Sequence, residues 1–254
     1  MSRASLLRGA TAEELKRPEY RELTPKEKRQ NWWHYHWGMI VGLVILAAIL
    51  FSLLYSIFSK VDPDYRIAVM VSYSMPEHGR TELERCITPY ADDRNGDGKV
   101  VVEVNTYELK LPSNPTSEQV QMQQAHLTRF LVDFSENASM IVLHDADSFV
   151  AMGDDMQGLF LYNDGTPMPE EATDFENAMR SWSDLAAFAS FEPISDDENN
   201  VPSAAFKASF EQLRVSFRAA EGTSIENSEK DMAYHADCLR LYNRLLTGEL
   251  PEQE

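Results

Sequence analysis

The stretch Asp93-Arg-Asn-Gly-Asp-Gly-Lys-Val100 matches the first half of a calcium loop, D-x-[DN]-x-[DN]-G. In such a loop the side chains at positions 1, 3 and 5 converge on one point as the chain wraps an ion. Glycine at position 6 allows the sharp turn, and position 7 offers its backbone carbonyl. Those positions hold Asp93, Asn95, Asp97, Gly98 and Lys99. Position 12, where a bidentate Glu is expected, holds Val104, and the pattern runs into a strand, so this is not an EF-hand. Two readings stand. In one, Asp93, Asn95, Asp97 and the Lys99 carbonyl hold a structural calcium ion, with any missing ligand drawn from Asp92, Asp64 or Glu136. In the other, the segment is an ion-free turn, because Asn-Gly and Asp-Gly form turns anyway.

A second group is marked by its place in the fold. Ser72 and Ser74 end the first predicted strand, Tyr107 follows the second, and Asp145 and Asp147 follow the third. Open parallel sheets bind ligands at the carboxyl ends of their strands. These five residues are therefore the expected ligand-binding positions, against the alternative that the acids only solvate a loop. The chain has no G-x-S-x-G, H-E-x-x-H, G-x-G-x-x-G or P-loop, and His78, His126, His144 and His235 show no ligand spacing. The expectation is a non-catalytic protein.

The elements that position these residues follow from periodicity. Ile67–Val71, Val100–Val104 and Met140–Leu143 are apolar runs of strand length. Between them, Thr81–Tyr90 carries Leu83, Cys86, Ile87 and Tyr90 at helical spacing. Thr116 and Gln119 form a capping-box pair opening a helix to about Ser135, with Leu127, Phe130, Leu131 and Phe134 on its apolar stripe. The resulting β-α-β-α-β order predicts an α/β fold, a mostly parallel sheet with helices on both faces. Further along, Gly158–Tyr162 reads as a short strand closed by Asn163-Asp164-Gly165, and Thr173–Ala187 as a helix. Ser195–Asn200 reads as a solvated loop. Leu213–Arg218 alternates like a half-exposed strand near an edge, and Ser228–Leu246 is a last helix stopped by Gly248. Cys86 and Cys238 fall on apolar helix stripes and read as two buried thiols, a disulfide being the alternative.

Ahead of this domain, Gly38–Phe58 holds twenty-one uncharged residues. At about 1.5 Å per residue they span roughly 30 Å, the thickness of a bilayer's hydrocarbon core. The run exceeds the apolar stretch of a signal peptide and lacks a small-x-small cleavage pattern after it, so it reads as an uncleaved single-pass anchor in the lipid bilayer. Arg21, Lys26, Lys28 and Arg29 before it, against Lys60 and Arg66 after it, place the N-terminus in the cytoplasm. Trp32, Trp33, Tyr35 and Trp37, with His34 and His36 among them, read as an interfacial belt. Gly38 and Gly42 have G-x-x-x-G spacing. Residues 1–37 read as a largely disordered cytoplasmic tail broken by Pro18 and Pro25, with a capped turn at Thr11–Lys16. Residues 59–65 read as a tether and 66–254 as an extracytoplasmic domain.

Charge divides at the same boundary. Residues 1–60 carry 9 basic and 5 acidic side chains, net +4; residues 61–254 carry 14 and 36, net −22. A domain so acidic repels nucleic acid and attracts cations. The expected partners are the bilayer and a membrane or cell-surface protein, not DNA or RNA.

The aromatic-basic stretch, the membrane helix, the Asp62-Pro-Asp-Tyr65 strand entry and the Asp93–Val100 loop together resemble single-pass membrane proteins of clostridial-type Gram-positive bacteria. The resemblance covers roughly residues 30–165. It implies an outer domain similar to one Rossmann-like lobe of an extracellular solute-binding protein, and no assigned activity. The expected role is binding or structural at the cell surface, the rival being a solute-binding or sensory module using the strand ends.

Overall fold

A computed structural model describes residues 22–58, 62–109, 114–152, 156–194 and 203–251. The chain divides between residues 60 and 61 into two units. The expected turn at Thr11–Lys16 and loop at Ser195–Asn200 lie outside the described residues.

The first unit is one helix, α1 (Pro25–Phe58), long and apolar enough to cross a membrane, with none of its apolar window buried. It starts thirteen residues earlier than the apolar run, so residues 25–37 are helix rather than disordered tail. Pro25 was expected to interrupt a helix and instead begins one. Its missing N–H is no loss in the first turn. Thr24 and Glu27 cap the end reciprocally: the Thr24 N–H donates to Glu27 Oε2 at 2.8 Å and the Glu27 N–H to Thr24 Oγ1 at 3.4 Å. At 1.5 Å per residue the helix is about 51 Å long. Its amino-terminal third stacks Trp32 on His36 and sets Trp33 against Trp37, with ring centroids 4.7 and 5.4 Å apart.

The second unit is built on a five-stranded mixed sheet in the order β2-β1-β3-β5-β4. β1 (Tyr65–Val71) lies between β2 (Val102–Glu108) and β3 (Ile141–His144), parallel to both. β5 (Arg214–Phe217) pairs antiparallel with β3, and the two-residue β4 (Arg180–Ser181) with β5. The chain moves from β1 to β2 through α2 (Glu77–Ile87) and back past β1 to β3 through α3 (Ser117–Ser135). The two crossovers run in opposite directions, so their helices cover opposite faces.

Each face has its own apolar core. On one, Ile67, Val69, Leu143, Val215 and Phe217 meet Leu83 and Ile87 of α2, Phe210 of α5 (Ser203–Glu211), and Cys238, Leu241 and Leu245 of α6 (Glu229–Thr247), together with Trp182 and Phe188. On the other, Ala68, Met70, Tyr107 and Val142 meet Phe130 of α3, Phe149 of α4 (Ala146–Met152) and Phe160. The predicted capping box at Thr116 and Gln119 is formed. Phe130 is buried as expected, whereas Leu131 is 49% exposed. Gly248 takes the left-handed conformation and ends α6. Cys86 and Cys238 are free thiols, the latter buried.

Three expectations fail for identifiable reasons. Thr173–Ala187 is not a helix but three 3-10 turns (Phe175–Ala178, Trp182–Asp184, Ala186–Phe188) split by β4. Trp182, Leu185 and Phe188 are each pulled into the core, and Asp184 Oδ2 accepts the Ser181 N–H at 2.9 Å, restarting the chain locally. The Leu213–Arg218 strand lies beside the edge strand β4 as expected and Arg214 is exposed, but Ser216 and Arg218 are as buried as Val215 and Phe217, because the second face of β5 is covered there. Arg218 is accommodated by lying 3.8 Å from the centre of the Phe134 ring and donating to the Phe134 carbonyl at the end of α3. Gly158–Tyr162 contributes isolated bridges, Phe160 to Arg218 and Leu161 to Pro167, rather than a strand.

β2 is an edge strand, and side chains cap it. The Val104 N–H donates to Glu84 Oε1 of α2 at 3.1 Å, and the Glu108 N–H to His126 Nδ1 of α3 at 2.9 Å. Such plugs deny an incoming strand its hydrogen bonds.

Candidate functional site: a cleft beside the acidic loop

The Asp93 loop sits on the rim where β1 and β2 begin. Gly96 and Gly98 both have positive φ, 72° and 82°, which is why glycine occupies those positions. The side chains organise the turn. Asp93 accepts the N–H groups of Gly96 (2.8 Å), Asp97 (3.2 Å) and Gly98 (2.8 Å). Asn95 Oδ1 accepts from Asp97 N and Asp97 Oδ1 from Lys99 N, at 2.9 and 2.8 Å. Asp93, Asn95, Asp97 and Lys99 are thus gathered in one exposed turn.

Asp64 anchors this turn to the sheet. It is 1% exposed and accepts three N–H groups, from Arg94 (2.8 Å), Asn95 (2.9 Å) and Val101 (2.8 Å). The Arg94 Nε donates to the Asp64 carbonyl at 3.1 Å. Of the residues expected to supply a further calcium ligand, Asp64 is therefore committed to backbone. Asp92 pairs with Arg244 at 2.7 Å, and Glu136 caps the end of α3.

A cleft of about 1330 Å³ opens next to the loop, against the carboxyl half of α6 and the segment after it. Its wall carries Asp92, Asp93, Arg94, Asp237, Arg240, Arg244 and Glu249, with Tyr65 and Val100 contributing apolar surface. Arg240 pairs with Asp237 and Arg244 with Asp92, both at 2.7 Å. Arg94 lies over the Tyr234 ring, 4.8 Å from its centre. The Tyr65 hydroxyl is buried with no hydrogen-bond partner among the described residues. Burial, then the Asp92 carboxylate, push its pKa up to about 12, so it stays a neutral donor.

The five strand-end residues do not converge. Ser72 and Asp145 do meet: Asp145 Oδ2 accepts the Ser72 N–H at 2.6 Å, and Oδ1 accepts the Ser148 N–H at 2.7 Å. Asp145 is thus the amino-terminal cap of α4 and a tie between β1 and β3. Burial opposes its charge, but the hydrogen bonds from Ser148 and Ser72 outweigh it and hold its carboxyl below the usual range. Ser74 is exposed, as is Asp147 in the first turn of α4. Tyr107 lies inside β2 rather than after it, fully buried, its hydroxyl donating to Asp133 of α3. Burial, then that carboxylate, push its pKa up.

One Ser-His pair exists that periodicity did not reveal. His144 Nε2 is 3.0 Å from Ser216 Oγ, across the β3–β5 pairing. Both residues are 0% exposed, so no substrate reaches them. The cleft itself was also missed. Its walls join Asp92 to Arg244, 152 positions apart, and no local pattern signals such a pair. Comparison with protein-family models, curated proteins and solved structures finds no match.

Proposed function

We propose that this chain is a single-pass membrane protein whose acidic α/β domain stands outside the cytoplasm and binds a partner without chemical conversion. The observation that carries this reading is the open cleft walled by the Asp93 loop. Asp92, Asp237, Arg240 and Arg244 are already tied into ion pairs and Asp93 into turn hydrogen bonds, which suits recognition. The Ser216 hydroxyl beside the His144 imidazole is sealed in the core. The apolar α1, its aromatic collar and the +4/−22 division of charge support the anchor, with the N-terminus in the cytoplasm. The parallel β2-β1-β3 order, with crossover helices on opposite faces, supports a Rossmann-like, solute-binding-lobe-like character. Ligand capture at the strand ends has less support, because Asp145 closes that edge and Tyr107 points into the fold. On this reading the likeness to clostridial-type membrane proteins extends to location at the cell surface.

We further propose that calcium, held by Asp93, Asn95, Asp97 and the Lys99 carbonyl, stiffens the cleft wall. Extracellular modules bind calcium at about 10⁻⁴–10⁻³ M. With roughly 1 mM calcium and a dissociation constant of about 0.1 mM, the stabilisation is about 1.4 kcal/mol. Thermal melting of the full chain in uncharged detergent is expected to rise by a few degrees on adding calcium over chelator. Asp93→Ala with Asp97→Ala should abolish the rise. An equal rise in that double variant would leave only general screening of the acidic domain.

A further inference from the structure

We infer that the cleft recognises an oxyanion, a carboxylate or phosphate group, seated on the outer edge of Arg94 and reached by the Tyr65 hydroxyl. This rests on the reading of the cleft as the binding face. A ligand anion in a domain of net charge −22 needs a specific reason, and three observations supply it.

The first is the state of Arg94. Its Nε is fixed by the Asp64 carbonyl and its guanidinium is laid on the Tyr234 ring. Tyr234 is itself held, its hydroxyl accepting the Arg66 N–H and donating to the Ala138 carbonyl. Among the described residues Arg94 forms no side-chain ion pair, and its side chain makes no hydrogen bond besides that of Nε. A planar fork anchored at one end with its outer donors unused is pre-organised for bidentate contact with an oxyanion.

The second is local charge. The field of the whole domain is damped beyond about 8 Å at physiological salt, so the near groups decide. Asp92 and Asp237 are neutralised by Arg244 and Arg240. The Asp93 oxygens are turned to the N–H groups of Gly96, Asp97 and Gly98. Only Glu249 adds a further carboxylate to the wall. Three guanidinium groups meet here, out of 14 basic side chains between residues 61 and 254.

The third is the Tyr65 hydroxyl. It is a buried donor on the cleft wall with no acceptor, and its charged neighbours include Asp237 and Arg240. A buried polar group normally has a partner. The side chain of Arg240 is 57% exposed, so it can exchange Asp237 for a ligand oxyanion on the same wall as that hydroxyl.

The test is thermal melting of the full chain in uncharged detergent, with citrate, inorganic phosphate or dihexanoyl phosphatidic acid set against chloride at equal ionic strength. The three anions separate a free carboxylate, a free phosphate and a lipid headgroup as the source. At least one is expected to raise the melting temperature by a few degrees. Arg94→Gln should remove the rise, and Arg94→Lys, which keeps the charge and loses the fork, should weaken binding at least tenfold. Arg85→Gln, which breaks a pair with Glu82 outside the cleft, should keep it. Tyr65→Phe separates a binding role from a structural one. Removing an orphaned buried hydroxyl should raise the ligand-free melting temperature while reducing the ligand-induced rise. A rise that survives Arg94→Gln, or no rise with any anion, overturns the inference. If spermidine instead stabilises the chain and Glu249→Gln removes that effect, the cleft is a binding face for cations: the anion inference fails and the broader reading stands. If no probe of either sign shifts melting, both fail.

Discussion

Acid should destabilise the α/β domain through His144, before its low-pKa carboxylates titrate. The ring is 0% exposed, Nδ1 has no hydrogen-bond partner among the described residues, and Phe149 packs 4.4 Å away centroid to centroid. Burial, outweighing the Asp145 backbone and carboxylate that favour a charged ring, pushes its pKa down from 6.5 to about 4. The unfolded chain therefore binds a proton that the folded chain refuses at any pH between those values. Stability is complete above about pH 6.5 and is lost as pH falls towards 4. A difference of about 2.5 pKa units corresponds to about 3 kcal/mol. For a domain of this size that is roughly 6–12 °C in melting temperature. His235, also lowered by burial, adds in the same direction. The assay is melting of the full chain in detergent from pH 7.5 to 4.5, for the wild type and His144→Phe. The variant carries a constant offset from the lost Ser216 contact, so the slope against pH is the readout. The wild type should lose more stability than the variant below pH 6.5. Parallel curves would refute the assignment.

Asp64→Asn replaces one of the two oxygens of a buried carboxylate that accepts three N–H groups. It should cost about 2–4 kcal/mol and lower the melting temperature by roughly 5–15 °C; a loss under 1 kcal/mol would show that Asp64 does not hold the turn. Glu84→Ala with His126→Ala bares the Val104 and Glu108 N–H groups of the edge strand. Light scattering should then show concentration-dependent association, and a strictly monomeric double variant would contradict the edge-capping account.

The β-α-β-α-β half of the domain was legible because each element declares itself locally. Ile67–Val71 is an unbroken apolar run, and Thr116 with Gln119 marks a helix start whatever the tertiary context. The Thr173–Ala187 region was not legible, because Trp182 and Phe188 answer to a core assembled from distant elements rather than to a helical period. The same holds for Arg218, whose polar side chain suggested an exposed position that packing on Phe134 overrides. The loop residues were visible as a motif, but the cleft beside it depends on α6 meeting the β1–β2 rim. Asp145 was visible as an acid after a strand, and only geometry reveals it as a cap.

The central claim is that α1 anchors an acidic binding domain outside the cytoplasm. The most direct test is protease added to intact cells expressing the chain with different tags at its two ends. The account predicts loss of the C-terminal tag and its domain, with residues 1–37 and the N-terminal tag protected. Protection of the C-terminal domain until the membrane is permeabilised would contradict it.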